Sequence, residues 1–333
     1  MPDLLKISGF AVLTFLAWDV QAQPVTDSAT DVSVAKEVIV LGRLQGPPLW
    51  EVSKGEHKLM LFGLPDMVPK KLQWDSIKVE RVLGSADVIL TPPGAGVEAE
   101  DKLGPFKAVG LIRQYRKMRK LDNKKTLDEL VNPELFLRIT ALQKHYGPKS
   151  EGLHKLRPFL IAAKLTEAAM DDTGLEDAGK ISGKISRLVK KLPEPLPTVN
   201  STVTIKVDPA TFMQDLDATP WEAELGCLES VVDTLESDIV ERRERAISWS
   251  YGEMAELYAL NYPDPAADCT SALFSNRQLK ELEEQSKSLW LENAETVLGE
   301  YALGFGTLGM NELLRSDGVL AQLEARGYAV RRP

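Results

Sequence analysis

The sequence predicts a helix-rich α/β fold, and three observations carry that prediction. Short apolar runs rich in β-branched residues recur along the 333-residue chain. Longer segments carry apolar residues at helical spacing. In the first third the two kinds alternate as strand, hairpin, helix and strand, the pattern of an α/β layer.

The elements follow in chain order. "KEVIVLG" (residues 36–42) reads as a buried strand. "LWEVSKGEHKLMLFG" (49–63) reads as a hairpin whose turn is Lys54-Gly55. "DSIKVERVLGSA" is helical, with Asp75 or Ser76 as cap and Val79, Val82 and Leu83 on one face. "DVILTPPG" is a strand stopped by two prolines. From about residue 104 to 191 the pattern is nearly all helical. "PFKAVGLIRQYRKMRKL" has proline at an early helical position, "TLDELV" opens on a threonine cap, and "PELFLRITALQKHYG" closes on Gly147. "LHKLRPFLIAAKLTEAAMDDTG" and "GKISGKISRLVKKL" continue the series.

"PEPLPTVN" (193–200) is proline-dense and reads as a linker or crossing loop, and "STVTIKV" alternates like a strand. A long helical region at 220–260 breaks near Gly252, and "LKELEEQSKSLWLENAETVLGEY" forms the next helix. The end holds a strand "ALGFGTLG", the segment "MNELL", a helix begun by Ser316 or Asp317 and closed by Gly327, and the short strand "YAV". There is no internal repeat and no low-complexity tract.

The first 22 residues stand apart. Lys6 gives a weakly positive start, residues 7–18 ("ISGFAVLTFLAW") are apolar, and Val20 and Ala22 occupy the small-residue positions of a cleavage site. As a helix that run reaches roughly 18 Å at ~1.5 Å per residue, short of a ~30 Å hydrocarbon core. A signal peptide is expected, with a membrane anchor or a buried helix as alternatives. No cysteine follows the cleavage point, so a lipoprotein is not expected. The chain is therefore expected to be exported, periplasmic or secreted, with no membrane span after cleavage. Residues 23–35 are small and polar and read as a disordered lead.

A net charge of −9 argues against nucleic acid as partner, because phosphate backbones are bound by clustered positive charge. In an exported chain the two cysteines, Cys227 and Cys269, are expected to form a disulfide, the alternative being two buried thiols. Two cysteines alone make no zinc site, and His57, His145 and His154 are not at ligand spacing from them. Surface or capping roles are expected for all three histidines.

Two charged stretches stand out. Arg113, Arg116, Lys117, Arg119, Lys120, Lys124 and Lys125 fall within thirteen positions of an acidic chain. They read as a solvated helix face or as a patch for an anionic polysaccharide or lipid headgroups. "RRER" (242–245) beside Glu241 reads as helical surface ion pairs. Trp249 and Trp290 lie on apolar helix faces and read as core. Trp50 and Trp74 either pack in the core or line a cleft near "LFGLPD".

Five blocks stand in order: "GPPLWEVSKGEHKLMLFG", "VPKKLQWDSIKVERVLGSADVIL", "CLESVVDTLESD", "RERAISWSYGEMAELYALNYPDPAADC" and "LGMNELLRSDGVLAQLEARGYAV". Together they resemble the TraB/GumN family, which includes the Tiki-type membrane proteases, and are most similar to its exported GumN-like branch. The resemblance spans about residues 36–333 and implies one domain, with the helical stretch at about 104–191 inserted in it. The implied fold is a central mixed β-sheet flanked by many helices, as in erythromycin-esterase-like and ChaN-like proteins.

Relatives assigned as proteases carry two Gly-x-x-His motifs and a strand glutamate, proposed to hold a divalent metal. Here the first motif reads Gly63-Leu64-Pro65-Asp66 and the second Gly309-Met310-Asn311-Glu312. Thr91 stands where the strand glutamate is expected. Carboxylates in place of imidazoles shift preference from zinc toward manganese, magnesium or calcium, which want about six oxygen ligands. The resemblance thus implies a degenerate metal site and a non-catalytic binding or accessory protein of the cell envelope, without a cofactor. Its ligand would be a peptide or an envelope polysaccharide, since the branch takes its name from an exopolysaccharide gene cluster. The alternative is a metal-dependent peptidase-like hydrolase working through Asp66 and Glu312.

Overall fold

A six-stranded mixed sheet forms the centre of the structure, a computed structural model that describes residues 46–333 except 101–103, 148–151, 238, 260–268 and 270–276. The signal peptide, the polar lead and the strand expected at 36–42 lie outside the described residues. All that is described belongs to the unit Gly42–Pro333.

In chain order the elements are β1 (Leu49–Lys54), β2 (His57–Leu64), β3 (Met67–Pro69), α1 (Ile77–Leu83), β4 (Val88–Leu90) and β5 (Gly94–Ala99). Then come α2 (Pro105–Met118), α3 (Pro133–Tyr146), α4 (Pro158–Thr173), β6 (Leu175–Asp177), α5 (Gly179–Lys190), β7 (Thr198–Val199) and β8 (Thr202–Val207). The chain continues through α6 (Pro209–Asp217), α7 (Trp221–Ser237), α8 (Ile239–Tyr251), α9 (Met254–Ala259) and α10 (Arg277–Glu300). It ends with β9 (Leu303–Gly309), α11 (Met310–Leu314), α12 (Val319–Ala325) and β10 (Ala329–Arg331).

The sheet order is β10-β1-β2-β9-β4-β7. β1 is antiparallel to both neighbours, and β2, β9, β4 and β7 run parallel. The β1–β2 hairpin turns at Gly55, whose φ of +62° suits glycine. One face of the sheet is covered by α10. There Gly304 lets helix and strand approach closely, since a Cβ would run into the Val297 side chain. By the two-residue alternation of a strand, Phe62 points to the other face. It packs on Trp74 and Trp249 with ring centroids 5.6 and 5.8 Å away.

A second core fills the space between α3, α4 and α7, around Leu127, Ile139, Ile161, Leu165, Leu228 and Val232. The disulfide Cys227–Cys269 closes its edge with a Cα separation of 4.4 Å. Trp50, Trp249 and Trp290 are fully buried and Trp74 is half-buried at the core's margin.

Several local expectations shift. The proline-dense 193–200 segment ends as β7, which pairs with β4 at the sheet edge, where proline upstream breaks no ladder. "STVTIKV" is a strand, but β8 pairs with β5 in a separate two-stranded sheet. At α1 it is the Asp75 carboxylate that accepts from the Ile77 N–H, while the Ser76 hydroxyl turns to Glu80. Thr126 likewise bonds the Glu129 side chain and opens only a 3-10 turn. The final helix is preceded by Gly318, not Ser316 or Asp317. The "RRER" reading is corrected in part: Arg245 does pair with Glu241 one turn back, at 3.6 Å, but Arg242 and Arg245 are 5% and 2% exposed and are not surface residues. Arg242 falls on the helix stripe of Ala246 and Trp249, which faces inward.

Candidate functional site

Parallel strands present their carboxyl ends at one edge of a sheet, where ligands of open α/β sheets bind. Leu64 at the end of β2 is in register with Gly309 at the end of β9, and Leu90 of β4 is in register with Gly306. The segments carrying Asp66, Glu312 and Thr91 therefore leave the sheet side by side.

Both motif glycines are held in close contact. A Cβ on Gly63 would stand 2.5 Å from Met310 Sδ and 2.8 Å from the Trp50 ring. The Gly63 carbonyl accepts the buried Trp249 indole N–H at 2.7 Å. On Gly309 a Cβ would lie 2.5 Å from Asn311 Oδ1, the atom that accepts the Glu312 backbone N–H at 2.9 Å. These contacts fix the two loops against α8 and against each other.

Each carboxylate then meets a different cation. Arg242 Nη1 donates to Asp66 Oδ2 at 2.8 Å and also touches Met67 Sδ at 3.5 Å. Lys287 Nζ, on α10, lies 3.1 Å from Glu312 Oε1 and 3.1 Å from Glu283 Oε1. Burial works against the Lys287 ammonium, yet its bonds to Glu283 and Glu312 outweigh it, and its pKa lies above the usual lysine value. Thr91 is engaged separately: its Oγ1 accepts the Ser201 N–H at 2.8 Å and donates to Asn200 Oδ1 at 3.3 Å.

This arrangement does not suit a divalent metal. An oxygen-ligated ion needs several carboxylates or carbonyls converging on one point. Among the described residues, no group of three or more His, Cys, Asp or Glu is placed to hold one. The two motif carboxylates instead carry side-chain cations of their own.

Beside Asp66 opens a cavity of about 1130 Å³. Its floor is the β2–β3 loop (Leu64, Pro65, Met67) and the start of α11 (Met310, Asn311). One wall is the α4 stripe Phe159, Ala163, Thr166 and Met170; another is Val231, Thr234, Leu235 and the Cys227–Cys269 bridge. The interior is apolar, and the rim is charged by Asp66, Lys70, Asp171, Glu176 and Arg242. Three methionines on flexible stems give it an adaptable surface. Glu312 and Thr91 do not line it.

The remaining candidates lie elsewhere. Arg113, Arg116, Lys117, Arg119, Lys120, Lys124 and Lys125 are all exposed on and after α2. His57 Nδ1 is 3.0 Å from the Leu298 carbonyl, His145 is exposed against Tyr146, and His154 is half-buried against Phe136. Arg242 and Lys287 were not found by reading the sequence. Arg242 did leave a signal, because an arginine four and seven positions before Ala246 and Trp249 shares their buried face.

A model of the TraB/PrgY/gumN family matches residues 48–332. No curated protein and no solved structure matches the chain.

Proposed function

The chain belongs to the TraB/PrgY/gumN family, and from that premise we propose an exported, GumN-like binding protein of the cell envelope that works without a metal. The observation that carries this reading is the Asp66–Arg242 pair at the mouth of the cavity. Metal-assisted hydrolysis needs a cation able to polarise substrate and water. A guanidinium neutralises a carboxylate but remains protonated and supplies no Lewis acid. The Glu312–Lys287 pair supports the same reading at the second motif.

The cavity supports an apolar ligand over a polysaccharide. Its volume is at the upper end of ligand pockets, and an apolar interior with a charged rim suits the side chains of an extended peptide segment. Peptide binding is thus the function we assign, with Arg242 and Lys70 at the rim orienting polar backbone.

N-phenyl-1-naphthylamine, a neutral apolar fluorophore, tests this with the full chain. Saturable binding that survives a chelator and is lost in Thr166→Trp, which fills the cavity from α4, is the expected result. No binding, or binding that Thr166→Trp leaves intact, overturns the cavity as a ligand site. Binding abolished by the chelator returns the reading to a metal-dependent protein.

A further inference from the structure

Independently of the cavity, we propose that α2 docks the protein on an anionic lipid surface. Its inner side lies against α6, and Leu111, Phe212 and Met213 line a shallow apolar hollow of about 350 Å³. Met118 is the one residue of α2, among those whose burial is described, that is buried. The outer side is unusual. Phe106 is 92% exposed and Val109 58% exposed.

Scattered exposed apolar residues are ordinary on a protein surface. These are not scattered. Phe106 and Val109 are three positions apart and share a face. Continuing along it at three- and four-residue spacing come Arg113 and Arg116, with Lys117 beside them, all exposed, and the exposed Lys120 follows just past the helix end. Between residues 105 and 125 eight basic side chains stand against one acid, Asp122, in a chain of net charge −9.

An apolar half-face continued by a cationic one is what an interfacial helix needs. Its apolar side chains enter the acyl boundary while its cations meet headgroup phosphates. A soluble polyanion would engage the cations but leave Phe106 and Val109 in water. Docking of this kind is peripheral; among the described residues no helix is long and apolar enough to cross a membrane.

Vesicle sedimentation of the full chain tests the proposal, comparing phosphatidylglycerol/phosphatidylcholine vesicles with pure phosphatidylcholine. The apolar run at 7–18 is common to all forms and contributes to both vesicle types, so the difference between them is the readout. We expect preference for the anionic vesicles. A Phe106→Ser, Val109→Ser variant should lower binding to the anionic vesicles about tenfold or more relative to wild type, and an Arg113→Gln, Arg116→Gln, Lys120→Gln variant should lower the anionic preference about a hundredfold. All five positions are exposed, and an unchanged circular dichroism spectrum checks the fold. No preference in the wild type, a preference that the glutamine variant retains, or anionic-vesicle binding that the serine variant leaves at the wild-type level overturns the proposal. Equal binding of dextran sulfate by wild type and the serine variant, with no vesicle preference, reassigns the face to soluble polyanions. A dimer by light scattering that the serine variant dissolves reassigns it to a second copy of the chain.

Discussion

Arg242 donates to Asp66 across 176 positions of sequence, from a guanidinium that is 5% exposed to a carboxylate that is 46% exposed. The asymmetry matters. Asp66 retains access to water, whereas Arg242 depends on the partners the fold gives it. The carboxylate at the first motif position therefore serves an arginine.

A double-mutant cycle measures that coupling. Asp66→Asn and Arg242→Met should each destabilise the fold, and the pair together by less than their sum. Half-exposure of Asp66 limits the coupling energy to about 0.5–2 kcal/mol. Urea titrations of the four forms read it, and strict additivity would contradict the pairing.

Trp249 secures the end of β2 through the Gly63 carbonyl. Trp249→Phe keeps most of the aromatic packing with Phe62 and Trp74 but leaves that buried carbonyl without its donor. The expected loss is about 1–3 kcal/mol. Tryptophan-to-phenylalanine exchange with no shift in the denaturation midpoint would show the bond to be dispensable.

The Cys227–Cys269 bridge closes a loop of 42 residues. Chain entropy puts its contribution at about 4 kcal/mol, less where the unfolded state keeps structure. Reduction under native conditions, or a Cys227→Ala, Cys269→Ala double variant, should lower stability by up to that amount. Because the bridge also walls the cavity, affinity for the naphthylamine probe should fall with it. Unchanged stability in the reduced protein would contradict the estimate.

Glu224 gives a pH-dependent test. It is buried on α7 beside Arg157, and burial raises its pKa above the usual 4.5, with the Arg157 pairing offsetting only part of the shift. The folded state then holds this proton more tightly than the unfolded chain. The group's contribution is full below pH 4.5 and is lost as pH rises through the raised value. Glu224→Gln should flatten that part of the stability profile, followed by urea midpoints between about pH 4 and 7. A variant profile parallel to wild type would argue against the shift.

The hairpin at 49–63 was legible because two apolar segments, 49–52 and 59–62, flank the Lys54-Gly55 turn. The motif positions came from the family resemblance, and only the first was also marked by the residues, where the apolar run 59–62 stops at Gly63. What decides their chemistry was not legible. The spacing of Arg242 to Ala246 and Trp249 marks its inward face, but nothing local in "RRER" or around Lys287 names Asp66 and Glu312, far away in sequence, as their partners. β3, with three residues and a proline, carries too little pattern to read alone; its partner β6 fixes it. β5, "GAGVEA", is too glycine-rich to look like a strand until β8 lies beside it. Long-range pairing, not propensity, makes these elements.

Metal content tests the central claim most directly. The full chain, purified without chelator and incubated with manganese, zinc or cobalt, would be assayed by mass spectrometry beside an Asp66→Ala, Glu312→Ala variant. With Arg242 and Lys287 on the motif carboxylates, both forms should hold the same trace of metal, far below one equivalent. About one equivalent of a divalent ion in the wild type, absent from the variant, would contradict the account and restore the hydrolase.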